Sequence, residues 1–329
     1  MRAVFEYLEK TQAMEELRGA IEQKRRVRAL CVPSGAMENL LAVLGGVTAV
    51  YPSQAEARAA HEACPTANKV FVGDAEVAFT RYDAASMDGA QARIEALSRI
   101  NEKSVVFCSA DAFTYKMQPR TANEKLVFKQ GDVIPPAELV EKLTELGFSR
   151  VIQIETKGEF TAKGEIVEVF SAGMKSPVRI RYFDDEIESV RPFDAATQRY
   201  SGGECRAELL PARELLLLEN REKICAYLRE RGENEAADKL ERTGELPGIE
   251  GFGGLLENYE TLADYQSGAV FLVGAVFARF DKNRSETNEF IAQQTANALA
   301  FGCEAECWED IRKLTEGRAV VDAGENIEK

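Results

Sequence analysis

The sequence predicts an α/β protein with a largely parallel sheet, interrupted by a smaller α+β domain built on an antiparallel sheet. Three observations lead to this fold class. Short apolar runs alternate with helical stretches over residues 1–120, short strands cluster over 121–208, and helices return over 209–329. Strands that alternate with helices are typical of parallel sheets, whereas clustered strands separated by turn residues indicate antiparallel pairing.

The first segment, 1–120, supplies four predicted helices and four predicted strands. The helices are expected over 15–26, 37–44, 55–63 and 90–100. The apolar runs between them are the predicted strands, at 27–32, 48–51, 69–72 and 104–109. Because helices separate these strands, we expect parallel neighbours in one sheet.

The second segment, 121–208, begins with a helix over 136–146. Pro135 and Pro136 stand at its start, where proline is tolerated, and Gly147 follows its end as a C-cap would. Short strands are predicted after it, at 151–156, 160–162, 166–170, 178–183 and 187–191. Glycines and the pair Asp184-Asp185 separate these strands, so we expect an inserted domain with hairpins.

The third segment, 209–329, returns to a helical pattern. Helices are predicted over 213–231, 233–242 and 285–300, with a glycine-rich loop at 247–254 and a strand at 269–273. We therefore expect this segment to complete the domain that 1–120 begins, with 121–208 projecting from it.

Composition and charge disfavour two classes of protein, tight DNA binders and membrane proteins. The net charge of −14 opposes phosphate, so tight non-specific DNA binding is not expected and a protein partner is favoured. No apolar run is long enough for a membrane span, and no signal peptide is recognisable, so we expect a cytoplasmic protein. The basic run Lys24-Arg25-Arg26 with Arg28 is interpreted as a helix C-terminus facing water, and DNA contact is the alternative.

The number and spacing of the cysteines and the single histidine do not predict a metal site or a catalytic site. Seven cysteines at irregular spacing do not suggest a disulfide framework. Cys303 and Cys307 are predicted to share a helix face as packed thiols, since His61 alone cannot complete a zinc site with them. We predict no metal, no cofactor and no catalytic residue in this chain.

Three runs carry a resemblance to a known family. They are GEFTAKGEIVEVF at 158–170, PVRIRYFDDEIESVRPFDAATQR at 177–199 and LLPARE at 209–214. Together they resemble the second domain of bacterial transcription-repair coupling factors, and the excision-repair helicase UvrB shares a version of the pattern. The resemblance implies a UvrB-like module that docks the repair ATPase UvrA. In full-length members, RNA polymerase and DNA are bound by parts absent here, and a C-terminal domain masks this surface at rest.

The resemblance also implies a degenerate P-loop-type nucleotide site. The loop after the first strand reads Val32-Pro33-Ser34-Gly35-Ala36-Met37-Glu38-Asn39. A P-loop needs several glycines, a lysine and a hydroxyl for phosphate and Mg²⁺, and this loop lacks that set. The strand at 270–273 ends in Gly274-Ala275, with no acidic pair for Mg²⁺. We expect no ATP hydrolysis.

The predicted partner-binding face lies on the strand at 178–183. Period-two alternation puts Val178, Ile180 and Tyr182 on the core side and Arg179, Arg181 and Phe183 on the other side. Arginine and aromatic side chains dominate binding hot spots. The family's UvrA-binding residues match Lys163, Arg179 and Phe183, with lysine in place of the family's arginine at 163. The alternative is a solvated strand face with Phe183 partly buried under a loop.

Three functions are compatible with these observations. The favoured function is docking of UvrA for nucleotide-excision repair of damage that blocks transcription. The second is a UvrB-type, ATP-dependent damage-recognition enzyme, which the missing phosphate loop disfavours. The third is a structural or autoinhibitory domain that contacts other parts of a longer chain.

Overall fold

The computed structural model describes residues 10–28, 36–77, 87–123, 125–215, 220–244, 246, 249–296 and 307–323. Within them the chain forms a six-stranded sheet, a five-stranded sheet and a two-stranded sheet. The fold is mixed α/β, with one parallel sheet and a separate, mostly antiparallel sheet, in agreement with the predicted class.

Strands and helices alternate at both ends of the described chain, and strands cluster in its middle. The strands are β1 (Arg26–Arg28), β2 (Val47–Tyr51), β3 (Lys69–Val72), β4 (Val105–Ser109), β5 (Leu126–Phe128), β6 (Ser149–Arg150), β7 (Glu159–Lys163), β8 (Ile166–Phe170), β9 (Val178–Phe183), β10 (Glu186–Pro192), β11 (Ala207–Leu209), β12 (Val270–Val273) and β13 (Val320–Ala323). The α-helices are α1 (Gln12–Glu22), α2 (Ala36–Leu44), α3 (Gln54–Ala63), α4 (Met87–Ser98), α5 (Ala110–Thr114), α6 (Pro136–Glu145), α7 (Arg221–Glu230), α8 (Asn234–Thr243), α9 (Leu262–Tyr265), α10 (Val276–Ala296) and α11 (Ile311–Thr315).

The six-stranded sheet has the order β1-β13-β12-β2-β4-β3, and all of its neighbouring strands are parallel. Strands β2 and β4 are buried along their whole length. Helices cover both faces: Leu41 of α2 and Ala57 of α3 pack on one side, Leu97 of α4 and Phe113 of α5 on the other. Burial on both faces explains why VTAVY and VVFCS are nearly continuous apolar runs.

The six-stranded sheet takes strands from both ends of the sequence. Strands β1 to β4 precede α5, and β12 and β13 come after the segment that contains the second sheet. The two ends of the chain also contribute to the same apolar clusters on each face. The domain limits 1–120, 121–208 and 209–329 stay a prediction.

The five-stranded sheet has the order β10-β9-β8-β7-β6. Its pairs are antiparallel except β6 with β7, and α6 packs Leu139 and Leu143 against one face. Pro136 occupies the first turn of α6, and Gly147 follows the helix with a left-handed φ of 79°. Both features agree with the boundaries predicted for this helix.

The prediction of a strand at 151–156 is wrong. The ladder ends at Arg150, and the following residues form bends in which Ile152 is exposed and Ile154 is buried. The physical reason is a side-chain interaction: the Glu159 carboxylate accepts hydrogen bonds from the backbone N–H groups of Glu155 and Thr156, at 2.7 and 2.9 Å. Those N–H groups therefore turn towards a carboxylate instead of a neighbouring strand.

Several helix predictions differ in their limits. Helix α7 begins at Arg221 and not at 213, because residues 211–215 bend past the second sheet towards α4. The helix predicted at 285–300 begins earlier, at Val276, directly after Gly274 turns the chain with a φ of 80°. The glycine-rich loop predicted at 247–254 includes a 3₁₀ helix, Ile249–Leu255. Strand β13 and helix α11 were not predicted.

The basic run after α1 is not a helix C-terminus as predicted. Helix α1 ends at Glu22, Lys24 has a left-handed φ of 50°, and Arg26 and Arg28 belong to β1. The Arg26 guanidinium lies 2.8 Å from the Asp322 carboxylate of the neighbouring strand β13. The run therefore continues into the edge of the parallel sheet.

The single histidine has a structural position at the end of α3. The Lys69 ammonium donates to the carbonyl oxygens of His61 and Cys64, each at 2.7 Å, and so satisfies the helix C-terminus. The His61 ring packs against Phe71 and Phe107, with centroid distances of 6.0 and 5.8 Å. Burial, followed by the charge of Lys69, lowers the pKa of His61.

A buried ion pair joins the segment after β11 to the six-stranded sheet. The Arg93 guanidinium on α4 lies 2.8 Å from the Glu214 carboxylate, and the two side chains are only 2% and 3% exposed. Arg93 also donates to the carbonyl oxygen of Gly73. Next to this pair, Gln91 donates to the carbonyl oxygen of Ala212. These contacts fix the chain where it returns from the two-stranded β5–β11 sheet.

We predict that Arg93→Met lowers the free energy of unfolding by about 3–5 kcal/mol, because it leaves the Glu214 carboxylate buried without its partner. The double variant Arg93→Met/Glu214→Leu should recover most of that loss, since both charges are then removed. Denaturant unfolding measures both effects. Arg26→Met, at an ion pair that is half exposed, is the control and should cost less than about 1 kcal/mol. Equal losses in the single and double variants would contradict this account.

Candidate functional site

Strand β9 has one buried face and one outward face. Val178, Ile180 and Tyr182 are 4%, 0% and 2% exposed and pack in the core of the second sheet. Alternation then directs the side chains of Arg179, Arg181 and Phe183 away from that core. The predicted period of two is confirmed, so residues on the outward face can contact a partner without emptying the core.

The register of the neighbouring strands brings Lys163 to the same face. Lys163 on β7 pairs with Ile166 on β8, which pairs with Arg181 on β9. Residues directly opposite one another share a face, and adjacent strands are about 4.8 Å apart, so Lys163 and Arg181 lie about 10 Å apart across the sheet. The next row contains Glu168 and Arg179. We call the following six residues the outer face: Lys163, Ile166, Glu168, Arg179, Arg181 and Phe183.

Phe183 is the most exposed aromatic side chain of the described residues, at 72%. It lies at the end of β9, before a two-residue turn in which Asp184 has a left-handed φ of 52°. The turn pairs Phe183 with Glu186 and leaves the ring uncovered. The alternative of a ring partly buried under a loop does not apply, and the predicted hairpin turn at Asp184-Asp185 is confirmed.

Arg179 lies on the outer face, but its guanidinium already has partners within the chain. It is 2.6 Å from the Glu168 carboxylate and only 17% exposed. It also lies over the rings of Phe193 and Tyr200, at 4.7 and 5.3 Å from their centroids. Arg179 therefore stabilises the arrangement of the outer face in addition to any contact with a partner. Glu168 was not singled out from the sequence, although alternation in β8 places it opposite the buried Val167 and Val169.

Arg181 and Lys163 keep their charges accessible. Arg181 is 52% exposed, and its acidic neighbour Glu188, at 3.6 Å, is exposed to a similar extent. The Lys163 ammonium donates to the carbonyl oxygen of Ile152 at 2.8 Å, which orients the lysine without neutralising it. Exposed ion pairs contribute about 1 kcal/mol or less, so a carboxylate on a partner can compete for Arg181 at little cost.

The loop predicted to be a degenerate phosphate loop is only partly described. Residues 32–35 lie outside the described residues, and helix α2 begins at Ala36. Glu38 stands in its first turn, and one oxygen of its carboxylate is buried without a hydrogen bond in the described structure. Burial, followed by the charge of Glu38, raises the pKa of the neighbouring Tyr51. A negative charge at a helix N-terminus opposes the binding of an anion there.

The end of β12 has no acidic pair. Val273 is followed by Gly274 and Ala275, and α10 begins at Val276. Among the described residues, no three His, Cys, Asp or Glu side chains are grouped closely enough to hold a metal ion. Cys303 lies outside the described residues and Cys307 lies in a turn, so the predicted helix face with both thiols is not described. None of the described helices has the length and apolar character of a membrane span.

Comparison with known proteins identifies the region that carries this face. Residues 126–215 match the model of the UvrB interaction domain. The chain is 27% identical over 129 residues to the transcription-repair-coupling factor of Bacillus subtilis, which covers 38% of this chain and 11% of that protein. It is 32% identical over 163 residues to the coupling factor of Mycobacterium bovis, covering 46% of this chain and 13% of the relative.

A UvrB protein resembles this chain at a similar level of sequence identity. The chain is 32% identical over 158 residues to UvrABC system protein B of Kosmotoga olearia, which covers 47% of this chain and 24% of that protein. The matched stretch is thus a small part of each of these relatives. The outer face lies inside the matched domain, because β7, β8 and β9 all fall within residues 126–215. Residues 126–215 match the UvrB interaction domain, and the chain is similar to parts of transcription-repair coupling factors and of UvrB.

Proposed function

We propose that this chain docks UvrA through the outer face of the second sheet and so recruits it to nucleotide-excision repair. The observation that carries the proposal is Phe183, which is 72% exposed beside Arg181 in the domain that matches the UvrB interaction domain. An exposed phenyl ring next to a guanidinium has the composition of a binding hot spot. Burying that ring against a partner removes apolar surface from water, which favours association.

Within the outer face we assign different roles to the four basic and aromatic residues. Phe183 supplies the apolar contact and Arg181 the accessible guanidinium. Arg179 contributes charge at the rim and holds Glu168 and Tyr200 in place. Lys163 adds a point charge, which attracts acidic groups without the fixed geometry of an arginine.

We further propose that the chain acts as part of a longer transcription-repair coupling factor. The matched stretch covers 11% and 13% of the two coupling factors, so RNA polymerase and DNA contacts are assigned to other parts of such a protein. Masking of the outer face by another domain of the same protein is compatible with docking, because one exposed surface can serve both contacts in turn. A UvrB-type enzyme is the alternative, and Glu38 with the absence of acids after β12 disfavours it.

The chain is expected to bind Mg-ATP with a dissociation constant no tighter than the millimolar range and not to hydrolyse it. Glu38 repels phosphate, and Val273-Gly274-Ala275 offers no carboxylate for Mg²⁺. Isothermal titration calorimetry measures the binding, with UvrB as the positive control. A dissociation constant in the low micromolar range would show that the chain is a nucleotide-binding protein.

Duplex DNA should bind this chain only weakly at physiological salt, since its net charge is −14. Fluorescence anisotropy with a labelled duplex checks this expectation. Nanomolar affinity at that salt concentration would contradict it and would favour a direct role in damage recognition.

Arg181→Glu and Phe183→Ala should each weaken binding of UvrA by about 10- to 1000-fold, the range of single hot-spot residues. Their melting temperatures should stay close to that of the parent chain, since both side chains are exposed. Lys163→Ala should have a smaller effect, and raising the salt concentration should partly reproduce it. Lys142→Glu, on helix α6, is the matched charge control and should leave the affinity unchanged.

Arg179→Glu is expected to differ from these variants by lowering the melting temperature as well as the affinity. It places a second carboxylate next to Glu168, where the guanidinium now lies at 2.6 Å. Arg179→Lys, which keeps the charge, should restore much of the stability. Full stability in Arg179→Glu would contradict the structural role assigned to Arg179, and unchanged UvrA affinity in both Arg181→Glu and Phe183→Ala would refute the docking face.

A further inference from the structure

Two of the most exposed apolar side chains in the described residues lie in one row of the second sheet, two strand spacings or about 10 Å apart. Val133 is 74% exposed and Phe183 is 72% exposed. Single exposed apolar residues are ordinary on protein surfaces, and a pair at one place is more informative. Val133 belongs to the segment before helix α6, which the sequence predictions did not connect with the site.

The backbone of that segment pairs with the start of β10. Val133 forms an antiparallel bridge with Glu186, and Glu186 pairs with Phe183 in the neighbouring strand. The Ile187 N–H donates to the carbonyl oxygen of Asp132, and the Ile134 N–H to that of Asp185, each at 2.9 Å. These two bonds enclose the Val133–Glu186 pair, which makes it a non-hydrogen-bonded pair with side chains about 5 Å apart.

The pairing places Phe183, Glu186 and Val133 in one row on one side of the sheet, because directly opposite residues share a face. That side is the outer face, to which Phe183 belongs. The row extends the outer face beyond β10, so Val133 lies next to the residues proposed to bind UvrA.

Val133 is held in this position by its neighbours. Ile134 is buried in the core of the second sheet, and the Asp132 carboxylate accepts a hydrogen bond from the Lys129 N–H at 2.8 Å. Together with the two bonds to β10, these contacts fix the backbone on both sides of Val133. A contact that is already ordered loses little conformational entropy on binding.

Glu186 lies between the two apolar side chains. With Asp184 and Asp185 it forms an acidic tip, and none of the three makes an ion pair within the described structure. The outer face therefore changes from basic at Lys163 and Arg181 to acidic at this tip. A partner that covers the row needs apolar contacts on both sides of a cationic group.

We propose that Val133 and Phe183 form a two-point apolar contact for UvrA, with Glu186 between them meeting a lysine or arginine of UvrA. This inference rests on the proposed docking function and adds the loop before α6 to the interface. It also states the chemistry of the complementary patch on UvrA, which must be apolar at two points and positively charged between them.

The test is the affinity of purified UvrA for the whole chain carrying Val133→Asp, Val133→Ser or Glu186→Lys, measured by biolayer interferometry. Val133→Asp should weaken binding by about 10-fold or more, and Val133→Ser by about 3- to 10-fold. Glu186→Lys should weaken it by about 10-fold, with a smaller effect at high salt. Val127→Asp is the control, because Val127 is exposed on the separate β5–β11 sheet and should leave the affinity unchanged.

Two outcomes separate this inference from the docking function itself. If Phe183→Ala weakens UvrA binding and both Val133 variants keep the parent affinity and melting temperature, the two-point contact is wrong and the docking function stands. If the parent chain does not bind UvrA, both are wrong. Should Val133→Asp lower the melting temperature, Val133→Ser decides, because a smaller polar side chain at an exposed position preserves the fold.

Discussion

The buried ion pair between Arg93 and Glu214 is the contact on which the arrangement of the two sheets depends. Arg93 comes from α4, which covers the parallel sheet, and Glu214 follows β11 of the two-stranded sheet, whose residues Ala207 and Leu209 pack in the core of the second sheet. Around it, Ile94, Ala172 and Leu210 form a small apolar cluster that includes both parts of the molecule. The hydroxyl of Ser171 donates to the carbonyl oxygen of Leu210 at 3.1 Å. The second sheet is thus held at the end of its central strand β8, and its outer face stays open.

Alternation in the second sheet separates the residues that form its core from the residues proposed to bind a partner. Its inward residues, with Leu139 and Leu143 of α6, form a closed core, so the outward residues are not needed to fill it. Arg179 is the exception among the outward residues, because it also stabilises the fold. Its guanidinium contacts Glu168, Gln198 and two aromatic rings. The proposed partner surface therefore consists of a row of side chains that contacts within the chain already order. Such ordering reduces the entropy lost when the partner binds.

Much of this arrangement could be predicted from local sequence patterns. The alternation in VRIRYF assigned the faces of β9, and Pro136 and Gly147 marked the ends of α6. The failures involve contacts made by side chains or between strands, one of them local and two between separate segments. Glu159 ends a predicted strand through its side chain, Arg179 meets Glu168 through the β8–β9 register, and Val133 reaches Phe183 through a bridge to β10. None of these contacts leaves a periodic signal, because the first is a single side chain turning back on its own loop and the other two depend on which segments the fold brings together.

The central claim is that UvrA covers the outer face at Phe183. Hydroxyl-radical footprinting measures this directly, because an exposed phenyl ring is oxidised readily and a buried one is not. We expect oxidation of Phe183, now 72% exposed, to fall several-fold when UvrA is bound, while Val127 on the β5–β11 sheet keeps its reactivity. Unchanged oxidation of Phe183 in a sample in which UvrA is demonstrably bound would contradict the account.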